Sequence, residues 1–286
     1  MSFFAVIKKN AKAALAGRWR AAAGVFAFVA GTSVLLAVLE QGALRIFVAP
    51  PFPYYWGDIL DYAYFLRLMF TYAAGELVVM AVAAALSLLI FAPLLLGVTR
   101  WLYLLVQGER PIFLDIFRFF ESARRYGKAI WYGVNLGVRA LGWAVAFLLL
   151  PGGLIEICVQ LLRIDTIGRE VRAAASVGIL LAAALMLLMI LLYAIFINRY
   201  ALTAYLLCED DETSVRQAFR DSIRFTKGYR GIKFLFTLSY TGWYLLSVVT
   251  FGLALLFVVP YHMAGETVFA RYLVEKGRGS HGNQIQ

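Results

Sequence analysis

Few side chains in this sequence could do chemistry, and they sit in apolar surroundings. Arg139 lies about 10 residues, or roughly 15 Å, into an apolar run if that run starts at Ala129. A charge at such a depth costs at least about 2.5 kcal/mol to insert, which points to a functional site. If the run begins near Leu141 instead, the same arginine lies at the interface and snorkels. Asn135 is one turn away, and Gly133 with Gly137 makes a GxxxG pattern that close helix packing alone explains. His262 and Glu266 are four residues apart and share a helix face just after Pro260. Inside a membrane such a pair could relay a proton or bind a cation. Alternatively, Glu266 simply reaches the interface before Arg271. Ser239, Thr241, Ser247 and Thr250 read as helix-packing hydroxyls.

Most other chemistry lacks the residues it needs. Cys158 and Cys208 are 50 residues apart with no CxxC spacing, and His262 and His281 are the only histidines. No hydrolase elbow, P-loop, HExxH or zinc spacing occurs, so no catalytic residue, cofactor or metal is expected. The acidic run Glu209-Asp210-Asp211-Glu212 could ligate a cation. It also precedes Ser214-Val215-Arg216-Gln217, which has the form of a capping box, and acids are favourable at a helix start. Helix-start chemistry accounts for the run without a metal.

The elements that hold these residues are legible from composition. Of 286 residues, 62% are hydrophobic and only 15% charged, against about a quarter charged in a soluble domain. The apolar residues fall in blocks close to the roughly 20 needed to cross a bilayer. We expect an all-α polytopic membrane protein of about six spans in three hairpins, at 21–39, 77–98, 129–150, 173–197, 232–249 and 252–272. They form one integral domain, 1–273, followed by a cytoplasmic tail, 274–286, expected to be disordered. The first run is long for a signal peptide and no small-x-small cleavage site follows it, so it reads as a retained span. Pro93 is expected to kink the second span, and Pro151-Gly152-Gly153 to end the third.

Between the spans the chain writes basic amphipathic helices. Phe3 to Ala16 puts Phe3, Phe4, Ile7, Ala11, Ala14 and Leu15 on one face and Lys8, Lys9 and Lys12 off it. A second, after Pro111, sets Ile112, Phe113, Ile116, Phe117 and Phe120 against Arg118, Glu121, Arg124 and Arg125. A third runs from Thr213 to Lys227 and carries Arg216, Arg220 and Arg224. Each is followed by a glycine expected to stop it: Gly17, Gly127 and Gly228. The second and third units also share Gly142-Trp143 and Gly242-Trp243, which suggests three parallel hairpin units. The long connector Glu40 to Gly75, with Tyr54, Tyr55 and Trp56, reads as an interfacial loop.

Charge placement orients the chain. With the N-terminus cytoplasmic, 21 of the 27 Lys and Arg fall in inside segments and five outside. That asymmetry of about four to one is what the positive-inside rule expects, and it puts both termini in the cytoplasm. The net charge of +10 is therefore read as orientation and contact with anionic lipid rather than nucleic acid.

At this level of detail the residues resemble a known family of bacterial multi-pass membrane proteins, domain of unknown function 975. The resemblance rests on Ile7-Lys8-Lys9-Asn10-Ala11-Lys12, Pro151-Gly152, Tyr200-Ala201-Leu202-Thr203-Ala204-Tyr205, and above all Ser222 to Tyr272. In that last stretch Leu238-Ser239-Tyr240-Thr241-Gly242-Trp243, Thr250-Phe251-Gly252 and Pro260-Tyr261 follow the family's order and spacing. The resemblance implies an integral protein of the bacterial cytoplasmic membrane and brings no reaction with it.

The reading that follows is a non-enzymatic structural or regulatory membrane protein. It engages anionic headgroups or a protein partner through Lys8, Lys9, Lys12, Arg124, Arg125, Arg216, Arg220, Arg224 and Lys227. A small-solute or ion transporter using Arg139 and the His262/Glu266 pair is the alternative, and a lipid-modifying enzyme is a third.

Overall fold

A computed structural model describes residues 3–47, 62–164 and 168–282, with backbone alone for 62–73 and 280–282. The aromatic cluster Tyr54, Tyr55 and Trp56 and residues 283–286 lie outside the described residues, whereas 274–282 of the tail expected to be disordered continue the last helix. In chain order the helices are α1 (Phe3–Leu15), α2 (Trp19–Phe47), α3 (Tyr62–Val106), a 3-10 segment (Phe113–Phe120), α4 (Ala123–Leu162) and α5 (Arg169–Ile197). A single 3-10 turn (Asn198–Tyr200) leads to α6 (Thr203–Glu209), α7 (Val215–Phe225), α8 (Arg230–Leu238), α9 (Thr241–Val249) and α10 (Leu255–Gly282). Among the described residues five helical stretches are long and apolar enough to cross a membrane: Trp19–Phe47, Ala74–Val106, Ala123–Leu162, Arg169–Glu209 and Arg230–Val249. This is a polytopic helical membrane protein.

Several helices run well past the lengths read from the sequence. α3 has 45 residues, roughly 67 Å at 1.5 Å per residue, about twice the hydrocarbon thickness. Pro93 lies inside it without ending it. Pro151-Gly152-Gly153 does not end the third span either, because α4 continues to Leu162. Pro151 is buried in the helix, and Gly152 lies close to Met186 on α5. Gly178 of α5 in turn leaves room for the Cys158 sulfur. Tight packing between α4 and α5 holds the helix through a residue that lacks its own N–H.

Gly17 and Gly228 close α1 and the α7 turn in the left-handed region, at φ 73° and 84°. Gly127 does not act this way: it lies within α4, which starts earlier, at Ala123. There Ser122 Oγ accepts from the Arg125 N–H at 3.3 Å and caps the helix. The amphipathic element before it forms as a 3-10 segment, pinned at both ends of its first turn. Trp101 Nε1 donates to the Ile112 carbonyl at 3.1 Å, and Asp115 accepts from the Ile112 N–H at 2.7 Å. Gly97 lies so close beneath it that a Cβ would sit 1.7 Å from the Ile116 carbonyl oxygen. The glycine of the second unit therefore does not stop its amphipathic element as expected.

The last stretch is an antiparallel hairpin. Tyr229 meets Lys276, Lys233 meets Glu266, and Tyr244 meets His262, so partners fall in number on α10 as they rise on α8 and α9. The turn between them carries Phe251 at φ 50° and Gly252 at φ 87°, with Phe251 almost wholly exposed. α10, part of the expected sixth span at 252–272, is not among the five long apolar stretches, since it carries Glu266 and Arg271 within that interval.

The core lies at one end of the bundle. Buried α3 residues run from Ala92 to Leu105, and α2 buries only Ala22 and Val25 near its start. Around them gather Ile7, Ala11 and Leu15 of α1, Phe119, the α6 face Tyr205-Leu206-Leu207, Val215 and Phe219 of α7, and Phe269 and Leu273 of α10. α1 and α10 touch through Phe3 with Phe269 and Tyr272, so both chain ends pack at this capped end. At the other end large apolar side chains face outward, including Leu35, Val78, Leu149 and Leu180, the last 71% exposed. Apolar surface of that extent has its counterpart in acyl chains.

Candidate functional site

Lys233 and Thr237 lie one turn apart on α8, and His262 and Glu266 one turn apart on α10, so the two faces meet across the hairpin. Lys233 Nζ donates to Glu266 Oε2 at 2.5 Å, and Thr237 Oγ1 donates to Oε1 at 2.6 Å. The two charged side chains are only 9% and 10% exposed. His262 hydrogen-bonds through Nδ1 to the Tyr244 hydroxyl at 2.7 Å. Its Nε2 is 3.4 Å from Glu266 Oε1 but makes no hydrogen bond among the described residues. The pair expected from sequence is thus subordinate to a Lys–Glu ion pair. Lys233, Thr237 and Tyr244 were missed. A lone lysine in the apolar run Gly231–Leu238 was the available signal, because a buried cation requires an acid.

Beside this network Lys8 of α1 donates to the Ser239 carbonyl at 3.0 Å, with Nζ 4.4 Å from the centre of the Tyr240 ring. Burial pulls the Lys8 pKa below its ordinary value. Tyr240 is fully buried and its hydroxyl has no hydrogen-bond partner among the described residues. It fits because Gly265 has no side chain: a Cβ there would lie 2.2 Å from the hydroxyl. Tyr261 packs edge-on against the same ring at 5.3 Å, one residue after the buried Pro260.

Arg139 lies against the capped end. Its guanidinium carbon is 4.3 Å from the centre of the Phe219 ring on α7 and 5.9 Å from that of Tyr200. Nη1 is buried without a hydrogen-bond partner among the described residues. Asn135 does not join it, bonding instead to the Trp131 carbonyl of its own helix at 2.8 Å. Gly133 admits Leu88 and Ala92 of α3 at closest approach, whereas Gly137, Gly142 and Gly242 face open space. The two Gly-Trp pairs serve different ends. Trp143 packs 4.4 Å from Phe196 and donates to the Tyr200 hydroxyl at 3.2 Å. Trp243 lines an apolar groove of about 350 Å³ with Trp19, Phe257 and Tyr261, and Lys12 stands at its edge.

The basic residues divide into two sets. Arg125 donates to Asp211 at 3.0 Å and to Glu121 at 3.2 Å, Arg118 donates to Asp211 at 3.3 Å, and Arg124 donates to Glu212 at 2.8 Å. Lys128 adds a bond to the Asp211 carbonyl at 3.0 Å. Burial pushes the Asp211 pKa up, but the hydrogen bonds from Arg125 and Arg118 outweigh it and hold the carboxyl below its usual range. Asp210 closes its own turn by accepting from the Glu212 N–H and the Thr213 hydroxyl. Only half of the capping box forms: Ser214 Oγ accepts from the Gln217 N–H at 3.2 Å. The acidic run is therefore a clamp between α6 and the start of α4. No group of three His, Cys, Asp or Glu among the described residues is arranged to hold a metal.

Lys9, Lys12, Arg216, Arg220, Arg224 and Lys227 make up the second set and are exposed. α7 buries Val215, Ala218, Phe219 and Ser222 within the protein, so its apolar face is covered and only its basic face remains open.

No curated protein and no solved structure matches the chain. The family described as Protein of unknown function (DUF975) matches residues 5–276, nearly the whole length, and the chain belongs to that family.

Proposed function

We propose that this protein is a non-enzymatic structural or regulatory membrane protein whose capped end faces the cytoplasm and engages anionic lipid headgroups. The observation that carries this reading is the open basic face of α7. Arg216 and Arg220 are exposed and form no ion pair among the described residues, while Asp211 and Glu212 are taken by Arg118, Arg124 and Arg125. Lys12, beside the apolar groove, supplies the same pairing of a cation with acyl-chain surface. Cytoplasmic placement is supported by the concentration of 21 of 27 basic residues in the segments assigned inside. The family resemblance supports the bacterial cytoplasmic membrane as the location. A transporter working through Arg139 and the His262/Glu266 pair has less support, because Lys233 and Thr237 already occupy both Glu266 oxygens.

The test is reconstitution in mixed bilayers of phosphatidylcholine and phosphatidylglycerol, with retained lipid counted by native mass spectrometry. Wild type is expected to enrich phosphatidylglycerol, and the quadruple variant K9Q/K12Q/R216Q/R220Q to enrich it several-fold less. Equal enrichment in the two proteins would refute the reading.

A further inference from the structure

Three arginines gather where α4 passes the end of α5 and α7 meets α8, and no acid among the described residues pairs with any of them. Tyr200 is shared by two of them. The guanidinium carbon of Arg139 is 5.9 Å from its ring centre and that of Arg199 is 5.6 Å. Arg199 also stacks on Phe196 at 4.6 Å. Arg230 reaches back to the Ile223 carbonyl at 3.5 Å, next in the chain to Ser222, whose hydroxyl holds the Arg199 carbonyl.

The junction is held firmly. Ser222 Oγ donates to the Arg199 carbonyl at 2.8 Å and accepts from the Leu202 N–H at 3.1 Å. Thr226 Oγ1 donates to the Ser222 carbonyl at 2.7 Å and approaches the Arg199 carbonyl at 3.4 Å. Nε of Arg199, Nε of Arg230 and Nη1 of Arg139 are nevertheless buried without a hydrogen-bond partner among the described residues. All three residues are half-buried, so part of each side chain remains accessible.

Guanidinium groups stay protonated in proteins, so the repulsion here is not relieved by losing a proton. A short distance along the chain the same protein neutralises Arg118, Arg124 and Arg125 with Asp211 and Glu212. At the Tyr200 junction no acid among the described residues plays that part. Permanent like charges left together in half-buried surroundings are stabilised when an anion arrives from outside, and planar guanidinium forks match the oxygens of a phosphate.

We infer that Arg139, Arg199 and Arg230, gathered at this junction, form a binding site for a phosphate group. The shared chemistry is a phosphate oxyanion, carried by a lipid headgroup or free in solution. The site uses none of Lys9, Lys12, Arg216 or Arg220, so it stands independently of the surface reading above.

The experiment uses the full chain in an uncharged detergent and has two arms. In one, inorganic phosphate is titrated while the thermal midpoint is followed. In the other, phosphatidylglycerol is titrated into phosphatidylcholine micelles or nanodiscs. Saturable stabilisation in the first arm alone assigns the free ion, and in the second alone the headgroup. R199Q and R230Q are each expected to weaken the apparent affinity about tenfold or more, from loss of a charged hydrogen-bond partner. R169Q/R172Q, which alters exposed arginines at the far end of α5, is expected to leave it unchanged, and R230K to fall between, because it keeps charge but loses the fork. Circular dichroism checks that each variant is folded, and R139Q with R230K decides the matter if R199Q is not. No saturable response in either arm, or wild-type affinity in folded R139Q, R230Q and R230K, overturns the site.

Discussion

Replacing Lys233 by Met tests the buried ion pair most directly. Methionine keeps much of the lysine stem but removes the cation hydrogen-bonded to one Glu266 oxygen, and Thr237, on the other oxygen, is neutral. With both charged side chains about a tenth exposed, water does not replace the lost partner. Leaving one member of a buried pair uncompensated costs about 3–5 kcal/mol. At about 2–4 °C per kcal/mol for large domains, the thermal midpoint should fall by roughly 6–20 °C. K233M/E266Q removes both charges while a glutamine can still accept from Thr237. Replacing a whole pair by neutral groups is often neutral or stabilising, so this double variant should recover most of the loss. The four proteins of the cycle are compared by thermal unfolding in one detergent, followed by circular dichroism. A K233M midpoint within about 2 °C of wild type refutes the reasoning, as does a double variant that loses the sum of the single losses.

Three further outcomes follow from the same geometry. Tyr240→Phe deletes a buried hydroxyl without a partner and should be neutral or slightly stabilising, whereas Gly265→Ala forces a Cβ to 2.2 Å from that hydroxyl and should cost about 1–3 kcal/mol. Thermal midpoints should show Y240F/G265A losing less than G265A alone, and a larger loss would contradict the packing. Gly97→Ala would place a Cβ 1.7 Å from a backbone oxygen that cannot rotate away, so a loss of about 3 kcal/mol or more, read as a lower midpoint or yield of folded protein, is expected. For Asp211 the folded pKa lies below the unfolded one, so its ion pairs stabilise fully above the unfolded value near about 3.9 and fade as pH falls through the folded value. Because these side chains are about a third exposed, D211N should cost only about 0.5–1 kcal/mol at pH 7. The gap from wild type should close below about pH 4, and a gap that widened in acid would reverse the sign and sink the argument.

The membrane class was legible because hydrophobic length is a property of the chain itself: a run of about 20 apolar residues has the same meaning in any fold. Individual helix ends were less so. Gly17 and Gly228 stop helices as read, while Gly127 and Pro151 do not, since capping by Ser122 and packing against α5 override the local preference. The candidate site was half legible. His262 and Glu266 share a face through sequence spacing alone, but Lys233 lies 33 positions before Glu266 and joins it only through the hairpin. The same limit hid Arg199 and Arg230. Each reads as an ordinary basic flank of a span, and nothing in either neighbourhood announces that both lie at the junction held by Ser222.

By itself, then, the sequence determined what short-range patterns encode: helices that cross a membrane, basic amphipathic elements between them, and the His262–Glu266 register. The tertiary structure alone decided which charges are already satisfied. Arg124 and Arg125, expected to face lipid, are held by Glu212 and Asp211, whereas Arg139, Arg199 and Arg230 have no acidic partner among the described residues. The physical reason is that a side chain's charge is local to its residue, while its counter-charge is a matter of which distant segment packs beside it.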